Sequence, residues 1–451
     1  MSLSYNERKG GEPVSETVKK KQPRFRQVTV MLLMSAFQLI CAACVLFRQE
    51  ELNLSLLYIF FGYIAVEWLY MLIGNLITDN DYFELEAIAF FLSGIGLTVC
   101  ASFNESYAIK QLIAIGLGLA VYLVILLLIK DVQVAGFLRY PAAIGSVLVL
   151  AANLVLAETV NGTLNWIDLG FFSIQPSELV KIAFILAGAV SLDKLLSITS
   201  LTKYIVFSLG CVGALFLMKD FGTALIFFFT FVLIAFMRSG NIRTILLICA
   251  VALMGAMLVI YFKPYVANRF AAYRHVWDYI DTTGYQQARV LIYSASGGLF
   301  GLGIGEGKLR DIYAASTDLV FGLICEEMGI LLGIAVLLSF AGIALFAVKS
   351  AKSAASTFHS IAAVAAAGML LFQLSLNVFG ITDLLPLTGV TLPFISRGGS
   401  SMICSWGLLA YIRASGAPFK PPMPDIAVKK PVRPPVNKQT SSPPKKKGGK
   451  K

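Results

Sequence analysis

Twelve apolar segments, separated by short polar stretches, constrain this chain more than any other feature of its sequence. They lie at about 28–47, 54–77, 85–102, 109–129, 140–157, 177–190, 204–218, 221–237, 243–262, 317–347, 358–379 and 395–413. A helix needs about 20 predominantly apolar residues to cross a bilayer, and most of the segments approach that length. The hydrophobic share of 57% and the mean hydropathy of +0.77 exclude a soluble globular protein. We therefore expect an all-α fold, a polytopic membrane helical bundle of about 12 transmembrane helices.

The charge of the chain is concentrated in its two terminal tails. Residues 1–27 hold seven Lys or Arg and three Glu, and residues 414–451 hold ten Lys or Arg and one Asp. The tails thus carry +4 and +9 of the formal +11, which leaves −2 for the middle of the chain. Basic segments beside membrane helices favour the cytoplasmic side and contact anionic lipid, so the pattern indicates a membrane partner rather than nucleic acid. We expect both tails to be cytoplasmic, and the Pro- and Lys-rich C-terminal tail to be disordered.

An even number of spans between two cytoplasmic tails places three polar connections on the outer face of the membrane. They are residues 158–176, a long extracytoplasmic loop at about 263–316, and residues 380–400. These connections hold the residues that look chemically active. A catalytic function, if the chain has one, therefore faces outward.

Three polar residues recur at helical spacing where the first outer connection leads into an apolar segment. Gln175, Glu178 and Lys181 share one face of a helix, and a charge exposed to lipid costs about 2.5–3.5 kcal/mol, so we expect them to point into a protein cavity. The structural alternative is an i,i+3 salt bridge in which Lys181 extends to the membrane interface. Asp220 opens another span, where it can serve as a helix cap or join the same cavity.

The long extracytoplasmic loop groups charged residues that suit a phosphate-bearing substrate. Asp278 and Asp281 can act as a general base, and Arg269 and Arg274 can hold phosphate through charge-assisted hydrogen bonds. A solvated loop with ordinary surface charges explains the same pattern. The choice between these interpretations depends on the other motifs of the chain.

The last outer connection is rich in Gly, Ser and Pro and leads into the final apolar segment. Glycines expose backbone N–H groups, and a serine at a helix start, such as Ser400, can meet sugar hydroxyls or phosphate oxygens. The alternative is a tight re-entrant turn of small packing residues. Irregular backbone at membrane depth is tolerated where it is buried or lines a cavity, which favours a site.

Four motifs, in one order along residues 140–413, closely resemble those of the SEDS family, which includes FtsW, RodA and SpoVE. They are Trp166 with Gln175-Pro176-Ser177-Glu178-x-x-Lys181, Asp220-x-Gly222-Thr223, Thr317-Asp318-x-x-Phe321 with Glu326-Glu327-x-Gly329, and Leu385-Pro386 through Ser400-Ser401. Such proteins usually have about ten spans. The resemblance therefore implies a SEDS-like membrane core at 85–413 and two additional transmembrane helices at 28–84, between the tails 1–27 and 414–451.

The resemblance implies a reaction and a set of partners. A sugar hydroxyl of one lipid II molecule attacks the anomeric carbon of another, and undecaprenyl pyrophosphate leaves. The donor is α-linked and the product β-linked, which implies inversion in a single displacement. A base is then needed near the hydroxyl and cations near the pyrophosphate. The resemblance also implies the bacterial cytoplasmic membrane and a class B penicillin-binding protein, a transpeptidase, as partner.

Substrate-binding residues follow from the same resemblance. Glu178, Lys181 and Asp220 map onto the polar cavity of the family, with Lys181 a partner for pyrophosphate or for the carboxylates. The rest of the predicted substrate site is Gln175, Arg269, Arg274, Arg397 and Ser400. Arg397 departs from the family pattern, in which this position is commonly Tyr, and an added cation there can bind pyrophosphate or face a partner.

The catalytic acid is the other departure. The family pattern W-E-D-P-x-G-x-G-Y-Q corresponds to the segment from Trp277 to Gln286. An ungapped alignment of the two puts Tyr279 at the Asp position of the pattern. Asp281 or Asp278 is then the predicted base, with Asp281 favoured because it lies nearer the Gly-Tyr-Gln segment. These departures leave room for altered or lost polymerase activity.

Two other functions fit the sequence. Twelve spans with ionisable residues at helix ends suit a lipid II flippase or transporter, and the basic tails with the departures suit a non-enzymatic scaffold for a division transpeptidase. The sequence indicates no certain cofactor. It leaves open a divalent cation and the choice among elongation, division and sporulation. A zinc site is not indicated, because His275 and His359 are the two histidines of the chain and offer few ligands.

Overall fold

A computed structural model describes most of the chain. The described residues are 24–48, 53–77, 83–160, 163–168, 170, 173–193, 198–240, 242–262 and 272–416. The predicted basic tails lie almost wholly outside these residues, and so does Arg269.

Fourteen α-helices make up most of the described chain. They are α1 Arg24–Phe47, α2 Leu54–Ile77, α3 Glu84–Phe103, α4 Glu105–Ile129, α5 Val132–Leu156, α6 Pro176–Asp193, α7 Ile198–Leu217, α8 Phe221–Ser239, α9 Ile242–Phe262, α10 Tyr285–Ser296, α11 Val320–Glu327, α12 Ile330–Lys352, α13 Thr357–Ile381 and α14 Gly399–Gly416. Each predicted apolar segment coincides with at least one helix. Eight of the described helices, α1 to α5, α8, α12 and α13, are long and apolar enough to cross a membrane. The expectation of an all-α membrane bundle is confirmed.

The tenth apolar segment is not one helix. It divides into the short α11 and the long α12, and Gly329 stands at the break with φ +85°. A side chain disfavours this left-handed backbone, which glycine adopts freely. With eight residues, α11 is too short to cross a bilayer, so the residues before α12 belong to the extracytoplasmic loop.

A small antiparallel sheet, which the sequence did not predict, occupies the first outer connection. Its strands are β1 Glu158–Val160, β2 Thr163–Asp168 and β3 Ser173–Ile174, in the order β1-β2-β3. The sheet leads directly into α6. It therefore fixes the positions of Asn165 and Gln175 above the helix bundle.

Helix α14 lies at the centre of the bundle, where it packs against α4, α6, α12 and α13. Its Trp406 is fully buried and meets Phe90 at a ring-centroid distance of 4.8 Å. A Cβ atom on Gly118 would lie 3.0 Å from the Trp406 ring, so the glycine lets α4 and α14 approach closely.

The first two helices form a hairpin against α3 and α4. Buried Gln38 donates through Nε2 to Oε1 of buried Glu67 at 2.6 Å, which joins α1 to α2. The Tyr63 hydroxyl donates to the carbonyl oxygen of Phe90 at 2.5 Å. Just after α1, Arg48 pairs with Glu306 of the extracytoplasmic loop at 3.0 Å. Two contacts therefore attach the hairpin to the rest of the protein, one from α2 to α3 within the bundle and one from the end of α1 to the extracytoplasmic loop.

Candidate active site

A buried ion pair marks the start of α6. Lys181 Nζ lies 2.7 Å from Glu178 Oε1, and the two residues are 0% and 3% exposed. Pro176 begins the helix, so both residues fall within its first two turns. The i,i+3 salt bridge is therefore present, but Lys181 is enclosed by protein rather than extended to the membrane interface.

Hydrogen bonds extend from this ion pair into the last outer connection. Lys181 Nζ donates to Gln373 Oε1 of α13 at 2.9 Å, and Gln373 Nε2 donates to the carbonyl oxygen of Thr391 at 2.9 Å. The Thr391 hydroxyl lies 2.8 Å from that of Ser401. The buried amine thus has partners on α6 and α13, and the network continues to α14. We call these residues, with Glu178, the Lys181 network.

Asp220 both caps a helix and contacts other polar residues of the site, the two roles that were expected from the sequence. As the cap of α8 it accepts from the Thr223 backbone N–H at 3.0 Å. Its Oδ2 accepts from Asn165 Nδ2 at 2.5 Å and from Gln175 Nε2 at 3.2 Å. The backbone N–H of Gln175 in turn donates to the hydroxyl of Ser400 at 3.2 Å. Gln175 therefore connects Asp220 to the start of α14.

Asp318 also belongs to this region, although it is not among the site residues predicted from the sequence. Its backbone carbonyl accepts from Asn377 Nδ2 at 2.8 Å, and the same amide donates to the Val390 carbonyl at 2.7 Å. Burial raises the pKa of the Asp318 carboxyl to about 7, the Thr317 hydroxyl opposes the rise, and the negative charge of Asp220 adds to it. Asp318 and Asp220 are therefore electrostatic neighbours. The Thr317-Asp318 motif was the feature of the sequence that could have pointed to this residue. The surroundings of its carboxyl, however, depend on tertiary packing, which the motif does not show.

The predicted catalytic acids lie on the exposed part of the long loop. The Asp278 side chain is 74% exposed, and its Oδ2 lies 3.5 Å from His275 Nδ1. Asp281 is exposed as well. Within the described residues, no hydrogen bond or ion pair joins either acid to the Lys181 network.

In the described chain, Arg274 and Arg397 likewise make no hydrogen bond or ion pair with that network. The Arg274 backbone N–H donates to Asp383 Oδ1 at 3.1 Å, and its guanidinium lies over the ring of Tyr273. The Arg397 guanidinium lies 4.0 Å from the ring centroid of Tyr107. The site residues that the structure brings together are thus Gln175, Glu178, Lys181, Asp220 and Ser400.

The glutamates of the third motif support the extracytoplasmic loop. Glu326 accepts from the backbone N–H groups of Lys308 at 2.7 Å and Leu309 at 2.9 Å. Glu327 Oε2 accepts from the Gly305 N–H at 2.8 Å. Both glutamates are buried, and backbone N–H groups of the loop compensate the charge of Glu326, whereas Oε1 of Glu327 makes no hydrogen bond within the described residues.

In the described chain, no three His, Cys, Asp or Glu side chains are grouped closely enough to hold a metal ion.

Comparisons with known proteins agree with this architecture. Residues 83–415 match the family model of cell cycle proteins that covers FtsW, RodA and SpoVE. Stage V sporulation protein E of Bacillus subtilis is 34% identical over 250 residues, which is 54% of this chain and 68% of that protein. Peptidoglycan glycosyltransferase RodA of Mycobacterium leprae is 26% identical over 431 residues, which is 88% of this chain and 91% of that protein.

Solved structures show the same fold. A chain from a structure described as a peptidoglycan synthase complex that coordinates polymerization and crosslinking superposes with a TM-score of 0.63 at 26% identity. The match covers 73% of this chain and 96% of that one. The crystal structure of Thermus thermophilus rod shape determining protein RodA gives a TM-score of 0.56 at 25% identity, over 74% of this chain and 95% of that one.

Proposed function

The chain belongs to the FtsW, RodA and SpoVE family, and from this membership we propose that it is an inverting peptidoglycan glycosyltransferase. It polymerises lipid II into glycan strands at the outer face of the bacterial cytoplasmic membrane. Relatives over most of this chain carry the name peptidoglycan glycosyltransferase, among them the Mycobacterium leprae protein. The family core is residues 85–413, to which 28–84 add two helices.

One observation carries the proposal: the ammonium of Lys181 is buried and held in place. An ammonium has three N–H donors, and Glu178 and Gln373 are the partners the structure shows for two of them. The remaining donor suits a pyrophosphate oxygen. A preorganised cation in a site with little water stabilises the charge that develops on the leaving group more strongly than a solvated one does.

The carboxylates supply the other requirement of a single displacement. A base must take the proton of the attacking sugar hydroxyl as the new glycosidic bond forms. On sequence grounds this base is Asp281 or Asp278. Arg274, Arg397 and Arg269 are proposed to bind the anionic parts of the substrate around the cavity.

Polymer formation from purified protein tests the proposal. Protein in detergent is incubated with labelled lipid II, with and without a divalent cation and with a chelator, and the products are separated by size. We expect glycan chains from wild-type protein and from Glu306→Gln, which changes an exposed residue outside the site. We expect none from Lys181→Met. A folded wild-type protein that makes no polymer under any of these conditions would contradict the proposal.

Two variants and one further assay separate the alternatives. Full activity of Asp278→Ala/Asp281→Ala removes the loop acids as base but leaves the polymerase assignment intact. Movement of lipid II across liposome membranes without polymer indicates a flippase. Normal growth of cells that carry only the inactive Lys181→Met protein indicates a scaffold.

The membrane arrangement and the partner belong to the same proposal. We propose that both termini are cytoplasmic and that a class B penicillin-binding protein crosslinks the strands that this chain makes. Support for such a partner comes from the related synthase complex, whose description joins polymerization to crosslinking. Cysteine labelling of the two tails in intact cells tests the orientation, since label that does not cross the membrane must miss both.

A further inference from the structure

Two polar side chains face each other deep inside the N-terminal hairpin. Glu67 of α2 is 0% exposed and Gln38 of α1 is 2% exposed. Glu67 lies ten residues before Ile77, the nearer end of α2, which is about 15 Å at the rise of an α-helix. Both helices are long and apolar enough to cross a membrane. The pair is therefore distant from the water at either membrane surface.

The hydrogen bonds between these two side chains are incomplete. Glu67 Oε1 accepts from Gln38 Nε2 at 2.6 Å. The other carboxyl oxygen, Oε2, is buried and makes no hydrogen bond within the described residues, and the same holds for Gln38 Oε1. Both unpartnered atoms are oxygens. A second hydrogen bond between the two side chains therefore requires a proton on one of these oxygens.

The neighbouring polar groups have no proton to offer the carboxyl group. The Tyr63 hydroxyl lies beside Glu67, but it donates its proton to the carbonyl oxygen of Phe90 at 2.5 Å. A hydroxyl has one proton, so towards Glu67 this one can act only as an acceptor. On α1, the Cys41 thiol is hydrogen-bonded to the Thr98 side chain of α3. An ionised Glu67 would thus keep one donor, the Gln38 amide.

No counter-ion stabilises a charge on Glu67 either. Within the described chain, none of the ion pairs includes it. The acid of α3 that faces the hairpin, Glu86, is itself paired with Arg413 at 3.1 Å. Glu86 also accepts from the hydroxyls of Tyr70 on α2 and Tyr122 on α4. A buried charge without a counter-ion is costly, so the neutral form of Glu67 is favoured.

We propose that Glu67 is a proton-binding site, in which the neutral carboxylic acid and the Gln38 amide form a ring of two hydrogen bonds. Gln38 Nε2 donates to Glu67 Oε1, and the protonated Oε2 of Glu67 donates to Gln38 Oε1. One proton, taken up from water, thus supplies a partner for both unpartnered oxygens. Turning the amide round does not remove the requirement, because the amide oxygen would then face Glu67 Oε1 and only a proton could join them.

The proton in this ring closes the hairpin. A second bond between the two helices, from Trp68 Nε1 to Ser35 Oγ at 3.0 Å, is neutral and does not depend on protonation. Beyond the end of α1, Arg48 pairs with Glu306 of the extracytoplasmic loop at 3.0 Å. A negative charge on Glu67 would oppose close packing of α1 on α2. The bound proton therefore keeps the hairpin packed beside this loop.

Infrared difference spectroscopy tests the protonation directly. Wild-type protein and Glu67→Gln are compared at neutral pH, and their difference isolates Glu67 from every other carboxyl group. We expect wild-type protein to show the C=O stretch of a protonated carboxyl group, which Glu67→Gln lacks. The control Glu306→Gln changes an exposed carboxylate and should leave that region of the spectrum unchanged. Loss of carboxylate bands, and not of the protonated band, in Glu67→Gln overturns the proposal.

Thermal unfolding tests the ring. Glu67→Gln replaces the acid by an amide, which makes the same two hydrogen bonds with Gln38 without a proton, so we expect a melting temperature close to that of wild-type protein. Gln38→Leu keeps a side chain of similar size and deletes both bonds, so its melting temperature should fall markedly. A marked change in Glu67→Gln, including the rise expected when a buried charge is removed, contradicts the ring. So does a Gln38→Leu variant as stable as wild type.

Discussion

Glu178 and Lys181 form an ion pair within one turn of α6, and neither residue is exposed beyond 3%. Removing two charges from water costs several kcal/mol each, and their attraction recovers this only when further hydrogen bonds are made. Gln373 supplies one of those hydrogen bonds to Lys181. The pair is therefore a poor source of stability in itself, and its presence beside the other polar residues of the site fits a role in binding.

Breaking the pair from one side should destabilise the protein. Lys181→Met leaves the Glu178 carboxylate buried without its cation, which costs about 3–5 kcal/mol. Glu178→Gln/Lys181→Met removes both charges and should recover most of that loss. We expect neither variant to polymerise lipid II, because both lack the ammonium. Thermal unfolding in detergent measures the stability, and a single variant as stable as the double one would disprove the argument.

Asp318 should make stability depend on pH. Its pKa is raised from 3.8 to about 7 in the folded protein, so the folded state binds the proton more tightly than the unfolded state does. The contribution favours folding at low pH, and it is lost as the pH rises from about 4 to about 7. Asp318→Asn should therefore raise the melting temperature more at pH 8 than at pH 5, with wild-type protein measured alongside. An equal shift at both values would show that the pKa is not raised.

Buried Glu326 should contribute more to the stability of the protein than exposed Glu306. Glu326→Gln weakens two charge-assisted hydrogen bonds to the loop, to Lys308 and Leu309, for which we expect a loss of about 1.5–3 kcal/mol. Glu306→Gln breaks an exposed ion pair with Arg48 and should cost no more than about 1 kcal/mol. Limited proteolysis of the loop and thermal unfolding measure both effects. Equal losses in the two variants would contradict this role of Glu326.

Gly329 should not tolerate a side chain. Its φ is +85°, and a Cβ atom would lie 2.3 Å from the carbonyl oxygen of Leu299. Gly329→Ala must therefore shift either the loop or the start of α12, and we expect it to lower the melting temperature markedly. The matched control is Gly213→Ala in α7, where nothing lies within 4 Å of the new methyl group. That change should be neutral or stabilising by up to about 1 kcal/mol, because alanine is the better helix former.

Apolar segments predicted the helices well because a long apolar run in a bilayer has few other structures available to it. The break before α12 escaped prediction because the run from 317 to 347 is predominantly apolar despite Asp318, Glu326 and Glu327, and the break itself depends on the backbone of Gly329. The sheet in the first outer connection escaped for another reason. Its strands are two to six residues long, and two of them are too short to show an alternating pattern of apolar and polar residues.

The candidate site was predictable where its residues are close in sequence. Three-residue spacing placed Glu178 and Lys181 on one face of α6, and they are paired there. Gln373 lies 192 residues away from Lys181, so no local pattern links the two. The position of Asp318 likewise depends on Asn377 and on the segment before α14, which are distant from it in sequence. Whether Asp278 or Asp281 takes part in the reaction stays a prediction.

The bond between Gln38 and Glu67 also bears on how the protein is made. Each helix of the N-terminal hairpin carries a strongly polar side chain that is buried against the other helix. Released singly into lipid, either helix would have to place that group in hydrocarbon without a partner. We therefore expect the two helices to enter the membrane together, because each then supplies the polar partner that the other needs.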